Sequence, residues 1–193
     1  MSDDHAHEVP PGFLKRWQHT LDEVAAALDV PAALVMRVWP EQIEVLLSSL
    51  SSGNPYEQHE KADLGTGLYC ETVMASRALL EVPDALNDPA WRDNPDARLK
   101  MIHYLGVPLV WPDDSIFGTV CVLDARARQH SAEAQEALWK IKALIEADFA
   151  GIFHGDTAPD ATDERARRID TEVAVILARL RQAHCPRDRE VVK

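Results

Sequence analysis

Residues 104–124 read YLGVPLVWPDDSIFGTVCVLD. Two apolar runs, 104–111 and 116–124, flank the turn Pro112-Asp113-Asp114-Ser115. Runs of this length bounded by Pro, Asp and Ser specify β-strands, and the short turn joins them as a hairpin. The second run is apolar at nearly every position, so both of its faces are expected to be covered. Val120 and Val122 would fill one face, and Phe117, Cys121 and Leu123 the other. Gly118 permits a bulge or a close approach of another backbone, and Pro108, with no N–H, puts the first strand at an edge or a bulge. Asp124 can accept backbone N–H groups of the turn that follows.

Working outward, the chain continues the pattern. Phe13, Leu14, Trp17, Leu21, Val24, Ala25 and Leu28 recur at helical spacing after Pro10-Pro11-Gly12, and Asp29 with Pro31 closes that helix. Residues 33–39 (ALVMRVW) and 43–50 (IEVLLSSL), split by Pro40, read as a second hairpin. Residues 51–55 are loop by composition, 68–75 suit a short helix after Gly65-Thr66-Gly67, and 79–82 a short strand. The Pro-, Asp- and Asn-rich stretch 88–96 reads as loop and helical turns. A helix opens at Ser131 and carries Leu138, Ile141, Leu144, Ile145, Phe149 and Ile152 to Gly155. After a linker at 156–162, Ala166, Ile169, Val173, Ile176, Leu180 and Ala183 form a heptad-like stripe that Pro186 ends. That stripe must pack either on its own domain or on a second copy, because an isolated helix of about 20 residues is marginal.

The order predicts an α+β fold, an antiparallel sheet with helices grouped outside it. Three parts are expected: an N-terminal arm at 1–11 that includes His5 and His7, a domain at 12–153, and a linker with an amphipathic helix at 154–193. The 193 residues are 46% hydrophobic and 27% charged, which is globular composition. The net charge is −12, and residues 156–193 balance eight acids with eight bases, so the excess lies in 1–155. An acidic domain is a poor partner for nucleic acid or for an anionic membrane surface. No apolar run approaches the roughly 20 residues of a membrane span, and the polar first ten residues carry no apolar signal segment; a cytoplasmic protein is expected. Cys70, Cys121 and Cys185 are scattered and suggest neither a zinc site nor a disulfide framework.

Several blocks together resemble one family. They are Asn54-Pro55-Tyr56, the stretch 68–73 (LYCETV), Val82-Pro83-Asp84-Ala85, Asp88-Pro89 with Trp91, Asn94-Pro95, 104–109 (YLGVPL), Trp111-Pro112-Asp113 and 117–124 (FGTVCVLD). In this order, over roughly 12–153, they resemble the GAF sensor domains of bacterial signalling proteins, of the kind found ahead of histidine kinase and diguanylate cyclase outputs. The resemblance implies a central antiparallel β-sheet, N- and C-terminal helices on one face, and a ligand pocket on the other, roofed by 53–104. It implies a small-molecule or redox sensor, coupled through helix packing in a homodimer to an output domain or partner protein. No catalytic output domain is expected within these 193 residues.

Candidate ligand-binding residues follow from the implied roof: Tyr56, Tyr69, Cys70, Glu71, Trp91, His103, Tyr104 and Trp111. Aromatic walls with a few polar groups suit a small-molecule site and suit an ordinary core equally. Cys70 is either a reactive thiol near the pocket or a small buried hydrophobe. One GAF relative, free methionine-(R)-sulfoxide reductase, works through cysteines, and Cys70 stands where one would lie. The stretch 93–103, where that family carries its attacking Cys, has none, so this enzyme is the alternative reading, with a purely structural dimerisation module beside it. Bilin attachment in the family uses Cys followed by His, whereas the pairs here are Cys70-Glu71 and Cys121-Val122. The sequence names no catalytic residue, metal ligand or cofactor.

Overall fold

The structure, a computed structural model, describes residues 8–184. The expectations for His5 and His7 in the arm, and for Cys185 and Pro186, lie outside the described residues. The elements are α1 (Pro11–Leu28), β1 (Ala32–Val38), β2 (Gln42–Ser48), β3 (Lys61–Asp63), α2 (Tyr69–Ser76), β4 (Leu80–Val82), α3 (Pro95–Arg98), β5 (His103–Val110), β6 (Ile116–Asp124), α4 (Ala132–Phe153) and α5 (Glu164–His184). Six strands form one antiparallel sheet in the order β3-β2-β1-β6-β5-β4, giving the expected α+β architecture. Both expected hairpins are present, and their inner strands β1 and β6 pair side by side at the centre. The short strand β3 was not anticipated; its three exposed residues carry no apolar signal and are held by pairing with β2.

Strand alternation divides the core in two. Ala33, Val35, Leu105, Val107, Leu109, Val120 and Val122 face α1 and α4, and α5 packs on those two helices. Ala32, Leu34, Met36, Ile43, Val45, Tyr104, Cys121 and Leu123 face the other way, toward α2 and the roof segment. Phe117 departs from expectation. Leu109 pairs with Gly118 but Val110 with Ile116, so Phe117 is the extra residue of a bulge. It therefore turns to the helix side and packs with Trp17, Trp111 and Phe149. At Gly118 the β1 backbone comes so close that a Cβ would stand 1.9 Å from the Met36 carbonyl oxygen.

Pro108 is tolerated because β4 ends before reaching it: β4 pairs only with Tyr104–Gly106. The strand edge beyond β4 is covered instead by α4, where Lys142 Nζ donates to the Pro108 carbonyl at 2.8 Å and Glu146 accepts from Val110 N–H at 2.8 Å. Asp124 accepts from Arg126 N–H at 3.0 Å, as its position suggested, and is also paired with the Arg126 and Arg128 guanidinium groups. Ser131 caps α4 by accepting from Ala134 N–H at 3.2 Å.

The stripe on α5 packs on its own chain. Ile169, Val173, Ile176, Leu177 and Leu180 are buried in the helix-side core. Arg16 on α1 ties the layer together, donating to Asp148 of α4 at 2.8 Å and to Asp170 of α5 at 2.7 Å, while Trp17 Nε1 donates to Asp148 at 2.8 Å. Of the two arrangements open to this stripe, docking within the chain is the one seen; it buries the stripe from Ala166 to Leu180 and leaves Ala183 exposed.

The contact at Gly118 carries a prediction. Gly118→Ala forces β1 and β6 apart at the sheet centre and should cost about 2–3 kcal/mol in a urea denaturation, the upper part of the overpacking range. An unchanged denaturation midpoint would contradict this reading of the bulge.

Candidate functional site

On the face away from the long helices, the sheet and the roof segment enclose a cavity of about 130 Å³. Its floor is Leu34 and Met36 of β1, Ile43 and Val45 of β2, Tyr104 of β5, and Cys121 and Leu123 of β6. Its roof is Tyr56, Leu68, Cys70, Pro95, Asp96 and Leu99, and Glu60, Lys61 and Ala62 stand on its β3 side. A sheet covered on both faces normally closes onto side chains. Here the cover is one short helix and a loop, and their packing leaves a void.

Local hydrogen bonds hold that cover in place. Asn54 donates to Ser48 Oγ and to the Ser49 carbonyl, both at 2.8 Å, and its Oδ1 accepts from Tyr56 N–H at 3.0 Å. This fixes Tyr56, whose hydroxyl reaches over the cavity and donates to Asp96 Oδ1 at 2.8 Å. Asn94 caps α3 by accepting from Asp96 N–H and joins it to the loop before α2, donating to the Gly67 carbonyl at 2.6 Å. Burial pushes the Asp96 carboxyl up to about 6, against the pull of the Tyr56 hydrogen bond. Burial, with Asp96 beside it, raises the Tyr56 phenol.

At the inner end of the cavity, Thr119 Oγ1 donates to Cys70 Sγ at 3.3 Å and the Tyr104 hydroxyl stands 3.5 Å from the same sulfur. Cys121 lines the same cavity as a neighbour of Cys70. The neighbouring Cys121, with Thr119 and Tyr104, draws the Cys70 thiol below its ordinary range despite burial, while burial and the nearby Cys70 sulfur push Cys121 well above. Gly106 makes room for this arrangement, because a Cβ there would stand 2.2 Å from the Tyr104 hydroxyl.

Of the sequence-derived candidates, Tyr56, Cys70 and Tyr104 line the cavity together. Tyr69 and Trp91 lie behind it: Tyr69 stacks on Tyr104 at 4.8 Å, Trp91 packs on Tyr69 at 5.3 Å, and the Tyr69 hydroxyl donates to the Met101 carbonyl. Glu71 is engaged elsewhere. Its carboxylate accepts from the backbone N–H groups of Gly65, Thr66, Gly67 and Leu68 at 2.7–3.2 Å, so the glycine loop is an anion nest filled by the protein's own side chain.

His103 and Trp111 belong to the opposite face of the sheet, which corrects their placement on the pocket. Both sit at odd positions of β5 and just beyond it, in phase with the helix-facing Leu105, Val107 and Leu109. Trp111 packs on Phe149 at 4.2 Å and on Phe117 at 5.1 Å. The sequence reading missed Asp96, which lay in a stretch read as loop, and gave Thr119 and Cys121 no part in the site.

The family assignment follows from a match to the GAF domain model over residues 14–147: the chain belongs to the GAF domain family, whose members are generally sensor domains of signalling proteins. A stretch of 72 residues is 32% identical to the cyclic di-GMP phosphodiesterase PA2567 of Pseudomonas aeruginosa, spanning 36% of this chain and 12% of that protein. The fold is similar to the blue-light absorbing form of the Thermosynechococcus elongatus PixJ GAF domain, at TM-score 0.59 and 17% identity over 87% of this chain and 96% of that one. It is also similar to the free methionine-R-sulfoxide reductase of Neisseria meningitidis, at TM-score 0.61 and 14% identity over 74% of this chain and 81% of that one. No described helix is long and apolar enough to cross a membrane.

His103 yields a pH prediction. It is fully buried and neither ring nitrogen has a hydrogen-bond partner among the described residues. Glu81 stands 3.9 Å away, its oxygens taken by His130 N–H and Gln135. Burial, then His130, lowers the imidazole to about 3. An unfolded His titrates near ~6.5, so between ~6.5 and ~3 the unfolded chain binds the extra proton. The stability this site contributes is complete above that window and falls as pH drops through it, by up to about 1.4 kcal/mol per pH unit. The melting temperature of His103→Phe should therefore decline less steeply than that of the wild type over this acid range; parallel curves would contradict the assignment.

Proposed function

We propose that this chain is a small-molecule sensor module, in which a ligand held between the sheet and the 53–102 roof alters the packing of the helix layer on the opposite face. The observation that carries the reading is the cavity itself: apolar walls with a few converging polar groups, Tyr56, Asp96, Cys70 and Tyr104. That composition is typical of small-molecule sites, and a volume well below the roughly 300–1,000 Å³ of drug-sized sites calls for a small metabolite. An open cavity also favours this reading over a purely structural dimerisation module.

Coupling has a physical route. Alternate residues of β1 and β6 face the cavity and the helices, so a shift at Leu34 or Cys121 is carried to Val35 or Val122 by the same strand. Such a ligand acts only by binding one helix packing better than the other. The module would work as a homodimer through the helix layer, next to an output domain or a partner protein. Because the α5 stripe is covered, the dimer contact would use the layer's outer surface, where Trp139 and Phe153 of α4 and Val175 of α5 are exposed. The likeness to a cyclic di-GMP phosphodiesterase supports a bacterial signalling setting.

Native mass spectrometry of freshly purified protein tests this. The wild type should carry an added small mass on a dimer. Ala62→Phe, which narrows the cavity at the exposed β3 edge, should lose that mass while keeping the fold. Adding the identified molecule at 100 times its dissociation constant should stabilise the wild type by about 2.7 kcal/mol. A bare protein whose melting temperature no metabolite extract raises would overturn the reading.

A further inference from the structure

Cys70 and Cys121 are 51 positions apart in sequence and meet at the inner end of the cavity. Their neighbours are unusual for core thiols. Most buried cysteines pack as small hydrophobes among apolar groups. Here Cys70 is the second residue of α2, receives a hydrogen bond from Thr119 at 3.3 Å, has the Tyr104 hydroxyl at 3.5 Å and shares the cavity wall with the neighbouring Cys121 thiol. Hydrogen-bond donors and a helix N-terminus both favour a thiolate at Cys70. Cys121 keeps its proton, burial holding it well above the usual thiol range. The pair is therefore polarised: one sulfur is set up as a nucleophile, and the other is a protonated thiol on the same cavity wall. Both line the one cavity, so a solute that enters reaches them.

We propose that Cys70 and Cys121 form a peroxide-responsive dithiol, with Cys70 as the attacking sulfur and Cys121 as the resolving one. The Cys70 thiolate attacks the terminal oxygen of a small hydroperoxide. An S–O bond forms, the O–O bond breaks, and the leaving oxygen takes a proton and departs as an alcohol or water, leaving a sulfenic acid. The Cys121 sulfur then attacks Cys70 sulfur. The S–S bond forms, the S–O bond breaks, and hydroxide leaves as water with the proton from Cys121. In sum, two thiols and one hydroperoxide give one disulfide, one alcohol or water, and one further water, with two electrons passing from sulfur to the peroxide. A dithiol reductant reverses the bond by thiol–disulfide exchange. The bridge would pin α2 of the roof to β6 of the floor and remove the Thr119 contact to a free thiol.

The proposal rests on the reading of the cavity as open to small solutes, and the experiment separates the two. The full chain carrying Cys185→Ser is reduced, freed of reductant and treated with excess hydrogen peroxide. Intact mass and non-reducing peptide mapping are then recorded. The expected product has lost two hydrogens and links the Cys70 and Cys121 peptides. In Cys121→Ser, the sulfenic acid should persist at Cys70 and be trapped by dimedone. Two free thiols after treatment, or sulfinic acid at either position without a linkage, overturns the dithiol. Native spectra of the same samples judge the pocket: a retained ligand on a protein whose thiols resist peroxide removes only the dithiol. A disulfide in a protein that never retains or responds to a small molecule removes the ligand-sensing reading and keeps the dithiol.

Discussion

Three adjacent strands, β1, β6 and β5, are apolar on both faces and must be covered on both. On one side the answer is the long helices α1 and α4, with α5 packed over both. Phe13, Trp17 and Leu21 of α1 and Ile141, Ile145 and Phe149 of α4 give that side a closed, aromatic-rich core. On the other side only α2 and a loop rich in Pro, Asp and Asn are available, so the cover is thinner and needs polar pins such as Asn54, Asn94 and Glu71. The asymmetry follows from chain economy. Long helices bring apolar stripes that fill space, whereas short hydrogen-bonded cover leaves a void, and the void is where a ligand can sit.

Much of this was legible in the residues. The 104–124 hairpin, the α1 stripe and α4 with its Ser131 cap are strong local signals, and the structure places each within a residue or two of its expected bounds. What escaped reading depended on partners distant in sequence. Phe117 changes face because the β5–β6 register slips at Gly118, and a bulge is invisible without the partner strand. His103 and Trp111 were assigned to the pocket by their place in the chain, but strand phase puts them with Leu105 and Val107 instead. A heptad-like stripe on α5 serves a partner helix of its own chain as well as it would serve a second copy, so spacing alone does not choose between them.

The site was less legible than the fold for a related reason. Glu71 looked available for a ligand, yet four backbone N–H groups of the preceding loop already hold it. Asp96 looked like loop composition, yet Tyr56 and burial make it the acidic group of the cavity roof. In both cases the residue type was visible and its partner was not. The polar groups over and within the cavity, Tyr56, Asp96, Cys70 and Tyr104, come from separate segments that meet over the sheet.

The central claim is that occupation of the cavity is felt across the sheet. Hydrogen exchange of the full chain, with and without the small molecule it retains, tests it most directly. Amides report local opening free energies element by element. The account predicts slowed exchange in the 53–102 roof, together with changed exchange in α1 and α5 on the far face. Protection confined to the roof with α1 and α5 unchanged, or a roof whose exchange is indifferent to the molecule, would contradict it.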